Sequence, residues 1–180
     1  MRYCIVENDY MDYLRSKEPR IPFNDYGEEH YKPCLYPLFS VEGLTYVVYI
    51  TSPKTKHRHM GNSKDFKKIF IDTNKRRGRY YVGAINLNHM FPVPSELLSE
   101  FKFANIDTIR NFKNLREKRK YISLLKHELK SVEIMNISQA AKDLYNFKYD
   151  KPQSRISQRC FDFKKLEKYA NEYAENKLNF

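Results

Sequence analysis

The first half of the chain alternates short apolar, β-branched stretches with polar segments, and the second half shifts to apolar positions spaced three and four apart. Arg2-Tyr-Cys-Ile-Val6 predicts a first strand, followed by a helix over 9–17 in which Tyr10, Tyr13 and Leu14 share a face. Pro19, Pro22 and Gly27 make 18–33 a long loop, and long ordered loops tend to be functional. Residues 35–41 and 44–50 predict a hairpin around Glu42-Gly43. Its second arm is rich in β-branched and aromatic residues and should be largely buried, with pairing stopping close to Pro53 because proline cannot donate to a ladder. Residues 66–71 and 79–87 predict two more strands, joined through a basic turn at 75–78. Four of these five strands pair best as an antiparallel meander that curls into a small, partly open barrel.

Beyond Pro92, Pro94 and a short irregular segment, Asp107 opens a helical stretch. There Leu115, Ile122, Leu125, Leu129 and Val132 form one apolar stripe, with Arg116, Lys118, Arg119 and Lys120 opposite. Ser138 is the expected N-cap of a helix reaching Phe147, 150–159 reads as a connector, and Asp162 caps a last helix whose inner side is Phe163, Leu166, Tyr169, Ala170 and Tyr173. The expected fold class is α+β, a twisted antiparallel sheet or partly open barrel with C-terminal helices packed on it, as one domain over 1–180.

Charge changes this picture from a scaffold to a surface for a partner. The chain carries 33 Lys plus Arg against 22 Asp plus Glu, a net charge of +11, and it is too apolar (41 %) and aromatic (15 %) to be a disordered tail. Within 53–80 there are ten basic side chains and two acidic ones, whereas 1–50 holds five basic and eight acidic. Such a block points to a polyanion on one face, the plain alternative being a solvated surface. Phe66, Phe70, Tyr80, Tyr81 and His57 interleave with the cations, which suits single-stranded nucleic acid: charges for phosphates, rings for bases. The candidate contacts are Lys32, Lys56, Arg58, His59, Lys64, Lys67, Lys68, Lys75, Arg76, Arg77, Arg79, Lys118, Arg119 and Lys120.

Cys4, Cys34 and Cys160 are scattered and odd in number, which argues against a disulfide framework or a structural zinc site. No apolar run approaches the ~20 residues of a membrane span and no signal-peptide core opens the chain, so the expected location is the cytoplasm.

The chemistry gathers at Thr51-Ser-Pro-Lys-Thr-Lys-His57, where an apolar strand gives way to hydroxyls, amines and imidazole. Five glycines in no G-x-G-x-x-G or Walker arrangement exclude the usual nucleotide-binding loops, His57-x-His59 has no third ligand near it in sequence, and no nucleophile elbow surrounds Ser52. Neither metal nor cofactor is expected. What remains suits metal-free RNA cleavage: a proton acceptor for the 2′-OH, a cation for the charge on the phosphoryl oxygens, and a donor for the leaving 5′-oxygen. Lys54 and the two hydroxyls supply charge and position; a nearby His or Tyr moves protons.

Thr51-Ser-Pro-Lys54 with His57, followed by Gly83-Ala-Ile-Asn-Leu-Asn-His-Met-Phe-Pro-Val-Pro94, resembles the ToxN/AbiQ endoribonucleases of type III toxin–antitoxin systems, above all their abortive-infection branch. The resemblance implies a compact fold related to the Kid/MazF toxins and metal-independent cleavage to a 2′,3′-cyclic phosphate and a 5′-hydroxyl. It also implies an antitoxin made of tandem RNA repeats, each a pseudoknot, processed by the toxin and held in the substrate groove; any oligomeric assembly would form through that RNA. Carried over, Thr51 and Ser52 contact the scissile phosphate and ribose, and Lys54 is the main stabiliser of the transition state. The family's tyrosine falls on Tyr31, with Tyr26 as competitor, and His57 either transfers protons or binds phosphate.

Plainer readings stand beside these. Thr51 and Ser52 would also cap a turn before Pro53, Asn86 and His89 would pin a strand end, and Cys4 and Met90 would be core. A non-catalytic RNA- or DNA-binding regulator would use the same basic face. A DNA-cleaving nuclease would need metal ligands that the sequence does not present.

Overall fold

The computed structural model describes residues 1–24, 27, 31–72 and 78–178; Tyr26, Lys75, Arg76 and Arg77 lie outside them. In chain order come β1 (Arg2–Val6), α1 (Asn8–Lys17), β2 (Cys34–Tyr36), β3 (Ser40–Val41), β4 (Leu44–Val47), β5 (Ile50–Thr51), β6 (Phe66–Asp72), β7 (Arg79–Asn86), β8 (Phe91–Pro94) and β9 (Leu98–Glu100). Four helices follow: α2 (Leu115–Ile134), α3 (Ile137–Asp150), α4 (Arg155–Arg159) and α5 (Phe163–Leu178).

Glu42 and Gly43 both take positive φ, 47° and 82°, the backbone of a two-residue turn whose twist matches a β-hairpin. They join β3 to β4 with Val41 opposite Leu44, as the sequence predicts. The expected meander does not form. The strands make three antiparallel three-stranded sheets, ordered β2-β1-β9, β3-β4-β8 and β5-β7-β6, and no barrel closes among the described residues. A bridge between Leu35 and Val48 links the first sheet to the stretch joining β4 and β5.

Two of these strands fall where the sequence suggested only punctuation and an irregular stretch. β8 contains Pro92 and Pro94, opposite Tyr46 and Leu44. It is an edge strand, where a missing N–H is tolerated, and α5 packs on it. β9 is three residues long and pairs with β1, ninety residues away in sequence.

The helices follow the expected pattern with shifted ends. α2 starts at Leu115 rather than at Asp107, because Asn114 caps it by accepting from the Glu117 N–H at 2.9 Å. Leu115 therefore sits in the first turn, 70 % exposed, and not on the inner stripe, which is Leu125, Glu128 and Val132 with Ile122 and Leu129 beside it. α3 begins at Ile137, behind a left-handed Asn136 instead of a Ser138 cap. The expected connector holds α4, capped by the Ser154 hydroxyl. Asp162 accepts from the Lys165 N–H at 3.3 Å, and α5 buries Phe163, Leu166 and Ala170, with Tyr173 edge-on to Tyr10 of α1.

Cys4 and Met90 are fully buried, and all three cysteines are free, buried thiols. The His89 ring stacks on Phe161 at 4.8 Å, the structural place expected for it. No helix among the described residues is long and apolar enough to cross a membrane.

Where β5 crosses β7, Gly83 leaves no space for a side chain. A Cβ there would lie 2.8 Å from Ile50 Cγ2, 3.1 Å from the Thr51 carbonyl oxygen and 3.4 Å from Glu128 Oε1. Gly83→Ala should therefore lower stability by ~1–3 kcal/mol, read as a shift of the urea midpoint at unchanged slope. An unchanged midpoint would show that β5 gives way freely.

Candidate active site

β5 ends on the predicted cluster. The Thr51 hydroxyl donates to the Ala84 carbonyl across the ladder at 3.2 Å, so this side chain is partly spent in fixing the strand end. The chain then leaves the sheet at Pro53, and Ser52 faces a cleft of about 400 Å³. Tyr31 and Lys32 form one rim, Arg110, Tyr121 and Leu124 another, and Tyr3 and Glu128 lie at its base. The rim is tied down by backbone bonds: the Tyr31 N–H donates to the Ile109 carbonyl at 2.7 Å and the Lys32 N–H to that of Asn24 at 2.8 Å.

Glu128 is the residue that sequence reasoning missed. It is 5 % exposed, on the inner stripe of α2, and its Oε2 accepts from the Tyr3 hydroxyl at 2.8 Å. Burial pushes its pKa up to about 7, against the pull of the Tyr3 bond and the Lys32 charge. The signal was available: an acid among Leu125 and Val132 at helical spacing is an acid turned inward. Lys32 moves the opposite way, its pKa lowered by burial and by Lys54 while Glu128 opposes. Arg110 was also missed. Its guanidinium lies 4.7 Å from the centre of the Tyr121 ring and reaches Glu117 at 3.4 Å, but its buried Nε has no hydrogen-bond partner among the described residues.

Lys54 is exposed and acts electrostatically on Lys32 on one side and His57 on the other. His57 does not line the cleft. It closes a short 3-10 turn, Thr55–His57, whose first bond runs from its N–H to the Lys54 carbonyl at 2.9 Å. Its ring is 3 % exposed, 5.2 Å from the Phe66 ring and 2.9 Å from the Tyr81 hydroxyl through Nδ1. Burial first, then Lys56, Lys54 and Lys68, lowers its pKa. A neutral ring results, tying the turn to β6 and β7.

The basic block divides. Lys68 and Arg79 from the β6–β7 hairpin and Arg119 and Lys120 from α2 converge on one groove of about 1,390 Å³, joined there by Arg116, His127 and Lys130, with no acidic side chain among the described residues of its lining. Phe70, Leu115 and Ile134 are exposed along it. Leu124 lines both groove and cleft, so the two adjoin. Lys118 turns away into an ion pair with Asp107, and Lys64 sits over the Phe147 ring at 5.1 Å. Lys56, Arg58 and His59 are exposed beside the His57 turn, while Lys67 is half-buried on β6. Among the described residues no three His, Cys, Asp or Glu side chains converge to hold a metal ion.

The sequence model of the family described as toxin ToxN of type III toxin–antitoxin systems matches residues 2–171. The chain belongs to this family. Endoribonuclease ToxN of Bacillus thuringiensis subsp. kurstaki is 30 % identical over 176 residues, 97 % of this chain and 84 % of that protein. The ToxN-family fold is shared with the lactococcal anti-phage endoribonuclease AbiQ, of a type III toxin–antitoxin system, at a TM-score of 0.71 and 17 % identity, covering 97 % of this chain and 98 % of that one. It is likewise shared with a structure from work on selective toxin inhibition by a non-coding RNA pseudoknot, at a TM-score of 0.72 and 23 % identity over 97 % and 98 % of the two chains.

Within this ToxN-family chain the buried carboxyl makes a pH signature. Glu128 rises from an ordinary value of 4.5 to about 7, so between these the native state holds a proton that the unfolded chain has lost. Stability then falls as pH rises through this window. Glu128→Gln keeps an acceptor for Tyr3 and should remove that fall, its advantage growing from near zero at the acid end to on the order of 3 kcal/mol above pH 7. Urea midpoints of both proteins across the range measure it; parallel curves would refute a protonated Glu128.

Proposed function

We propose that the chain is the endoribonuclease toxin of a type III toxin–antitoxin system that aborts phage infection, acting in the cytoplasm as one domain over 1–180. It cuts RNA without a metal ion: a ribose 2′-OH attacks the adjacent phosphorus, the 5′-oxygen leaves, and a 2′,3′-cyclic phosphate and a 5′-hydroxyl result. The observation that carries this reading is the adjacency of two surfaces, a cleft with Ser52, Lys32 and Arg110 at its walls and a groove whose charged lining among the described residues is cationic, meeting at Leu124. The first suits one reacting phosphate and the second the phosphates that follow it. The naming of a 30 % identical relative as an endoribonuclease supports the same activity. The antiparallel sheet core is read as related to the Kid/MazF toxins.

The roles follow the geometry. Lys54, set electrostatically between the cleft and the His57 turn, meets the charge that grows on the phosphoryl oxygens, and the unpaired Nε of Arg110 offers a second donor. Ser52 orients the ribose and phosphate, and Thr51 holds the strand end to Ala84 while its oxygen keeps acceptor capacity. Tyr31 flanks the reacting nucleotide from the rim. Burial weakens Glu128 as an acid and Lys32 as a base, which brings their protons toward a common range, as in acid–base pairs elsewhere. His57 positions the Lys54 turn from behind.

The partner is an RNA antitoxin of tandem pseudoknot repeats, held in the same groove and processed there. Its support is the fold shared with a structure from work on toxin inhibition by a non-coding RNA pseudoknot, together with the cations that line the groove.

Purified protein and Lys54→Ala, each incubated with mixed RNA in excess EDTA, test the reading. Wild type should give discrete fragments with 2′,3′-cyclic phosphate ends, and Lys54→Ala should cut about 30- to 1,000-fold more slowly, ~2–4 kcal/mol of transition-state stabilisation. RNA that both proteins bind and leave intact would replace the enzyme with a regulator. Separately, Arg119→Ala with Lys130→Ala should flatten the log–log salt dependence of RNA binding by about 0.7 per lost phosphate contact. An unchanged slope would remove the groove from the RNA path.

A further inference from the structure

Tyr31 borders two cavities. Besides the cleft it lines a second pocket of about 350 Å³, built where the end of β1 and the start of α1 meet β9 and the 3-10 turn Phe103–Thr108. We propose that this pocket receives an unpaired nucleobase of the RNA whose phosphate occupies the cleft, and so sets which sequence is cut. The inference rests on the RNA-cleaving reading above and adds to it the place where sequence is read.

The charge of the pocket chooses between the parts of a nucleotide. Among the described residues its ionic groups are Glu7, Glu100 and Lys102. Glu7 is engaged by Lys177, whose Nζ donates to both of its oxygens at 2.8 and 2.6 Å, and Glu100 by Arg2 at 3.3 Å, so both of these cations beside the pocket are already held by its carboxylates. A phosphate meets two carboxylates with Lys102 here, whereas the neighbouring cleft offers it Lys32 and Arg110. A base is uncharged, and the carboxylates, each with a cation, do not oppose it. The volume falls in the range of pockets that take one small planar ring system.

The remaining walls have the two kinds of group that base recognition uses. Ile5, Phe101 and Ile109 give an apolar surface for the ring. Around them stand side chains with hydrogen-bonding capacity left over. Asn8 spends its oxygen on the Asn24 amide at 2.6 Å and retains an amide that donates. The Thr108 hydroxyl donates to the Asn105 carbonyl at 2.8 Å and retains its lone pairs, and the Asn105 amide stands on the same turn. One donor, one acceptor and one amide offering both are sufficient to tell base edges apart on an unpaired strand. The residue shared with the cleft has its backbone fixed, because the Tyr31 N–H is bonded to the Ile109 carbonyl at 2.7 Å. A phosphate in the cleft and its base in the pocket would both lie against that residue.

Two variants act on the pocket without touching the cleft. Asn105→Ala removes an edge contact, and Ser99→Phe fills the space from β9. Each is compared with wild type on an RNA oligonucleotide library randomised over ten positions, with the cut ends sequenced and folding checked by thermal melting. Wild type should prefer particular bases at one position next to the cut. Both variants should lose about tenfold of that preference at that position only, while fragments keep the same end chemistry. Wild-type preferences retained at every position by both folded variants would overturn the pocket. Binding selection on the same library, comparing Lys54→Ala with Lys54→Ala/Asn105→Ala, reads the pocket independently of cleavage. Selectivity present in the first and relaxed in the second supports it even if no RNA is cut, and equal selectivity refutes it.

Discussion

One antiparallel pairing holds the molecule in register, that of residues 44–51 with residues 84–94. It is made of two ladders out of step. From Val47 to Ile50 the first strand advances three residues, while between their partners Phe91 and Ile85 the second spends six. The three extra residues are taken up by the turn Leu87–His89, which must find hydrogen bonds away from the sheet. It finds them in the Leu87 N–H donating to the Asp65 carbonyl and the Asn88 carbonyl accepting from the Phe161 N–H, and the His89 ring stacks on that of Phe161 beside them. Asp65 is buried, which opposes its charge, but bonds from Arg159 and Ser63 hold its pKa below the usual carboxylate value. The ion pair thus joins α4 to the loop before β6 and keeps the offset from relaxing. Without the offset β5 would not end where Ser52 meets the cleft.

The second constraint is α2, which serves two environments at once. Leu125, Glu128 and Val132 turn inward, and Arg116, Arg119, Lys120, His127 and Lys130 turn to the groove. An inward carboxylic acid is expensive in an apolar interior unless it is neutral or bonded. Here Tyr3 donates to it, Gly83 makes room for it, and its proton is retained toward neutral pH. On the proposed reading such a residue is kept for chemistry rather than stability, because perturbed carboxyls in clefts gather at functional sites.

The sequence was informative where structure is local. Glu42-Gly43 announced the β3–β4 hairpin, Pro53 marked the end of β5 although the single strand expected over 44–50 divides into β4 and β5, and Asp162 announced α5. It was uninformative where the deciding partner is remote. The prolines of β8 read as breaks because nothing in the sequence says that this strand lies at an edge. The offset between the two ladders has no local mark. Lys32 and Tyr31 were visible as candidates, yet their rim depends on bonds to Asn24 and Ile109, and the second of those is far along the chain. Arg110 and Glu128 went unremarked because each looks like an ordinary helical or loop charge until the cleft closes around it. His57 shows the reverse: a residue conspicuous in the motif whose side chain is buried behind it.

Three electrostatic environments run along one path, and their order carries the functional argument. Among the described residues the groove is cationic in its charged lining, the cleft sets Lys32 and Arg110 beside Glu128, whose pKa burial pushes up to about 7, and the pocket that shares Tyr31 carries two carboxylates and one amine. On the proposed reading, an RNA strand is therefore held by charge at one end and read by shape and hydrogen bonding at the other. Phosphate contacts are the same for every sequence and weaken with salt, whereas edge contacts differ between bases and hardly respond to it. Affinity and selectivity then reside in different parts of the surface and can vary separately. An inhibitory RNA need only occupy the groove firmly to exclude a substrate, without presenting the sequence that the toxin cuts best. A substrate in turn needs only transient hold in the groove, provided its base meets the pocket while its phosphate meets Lys54.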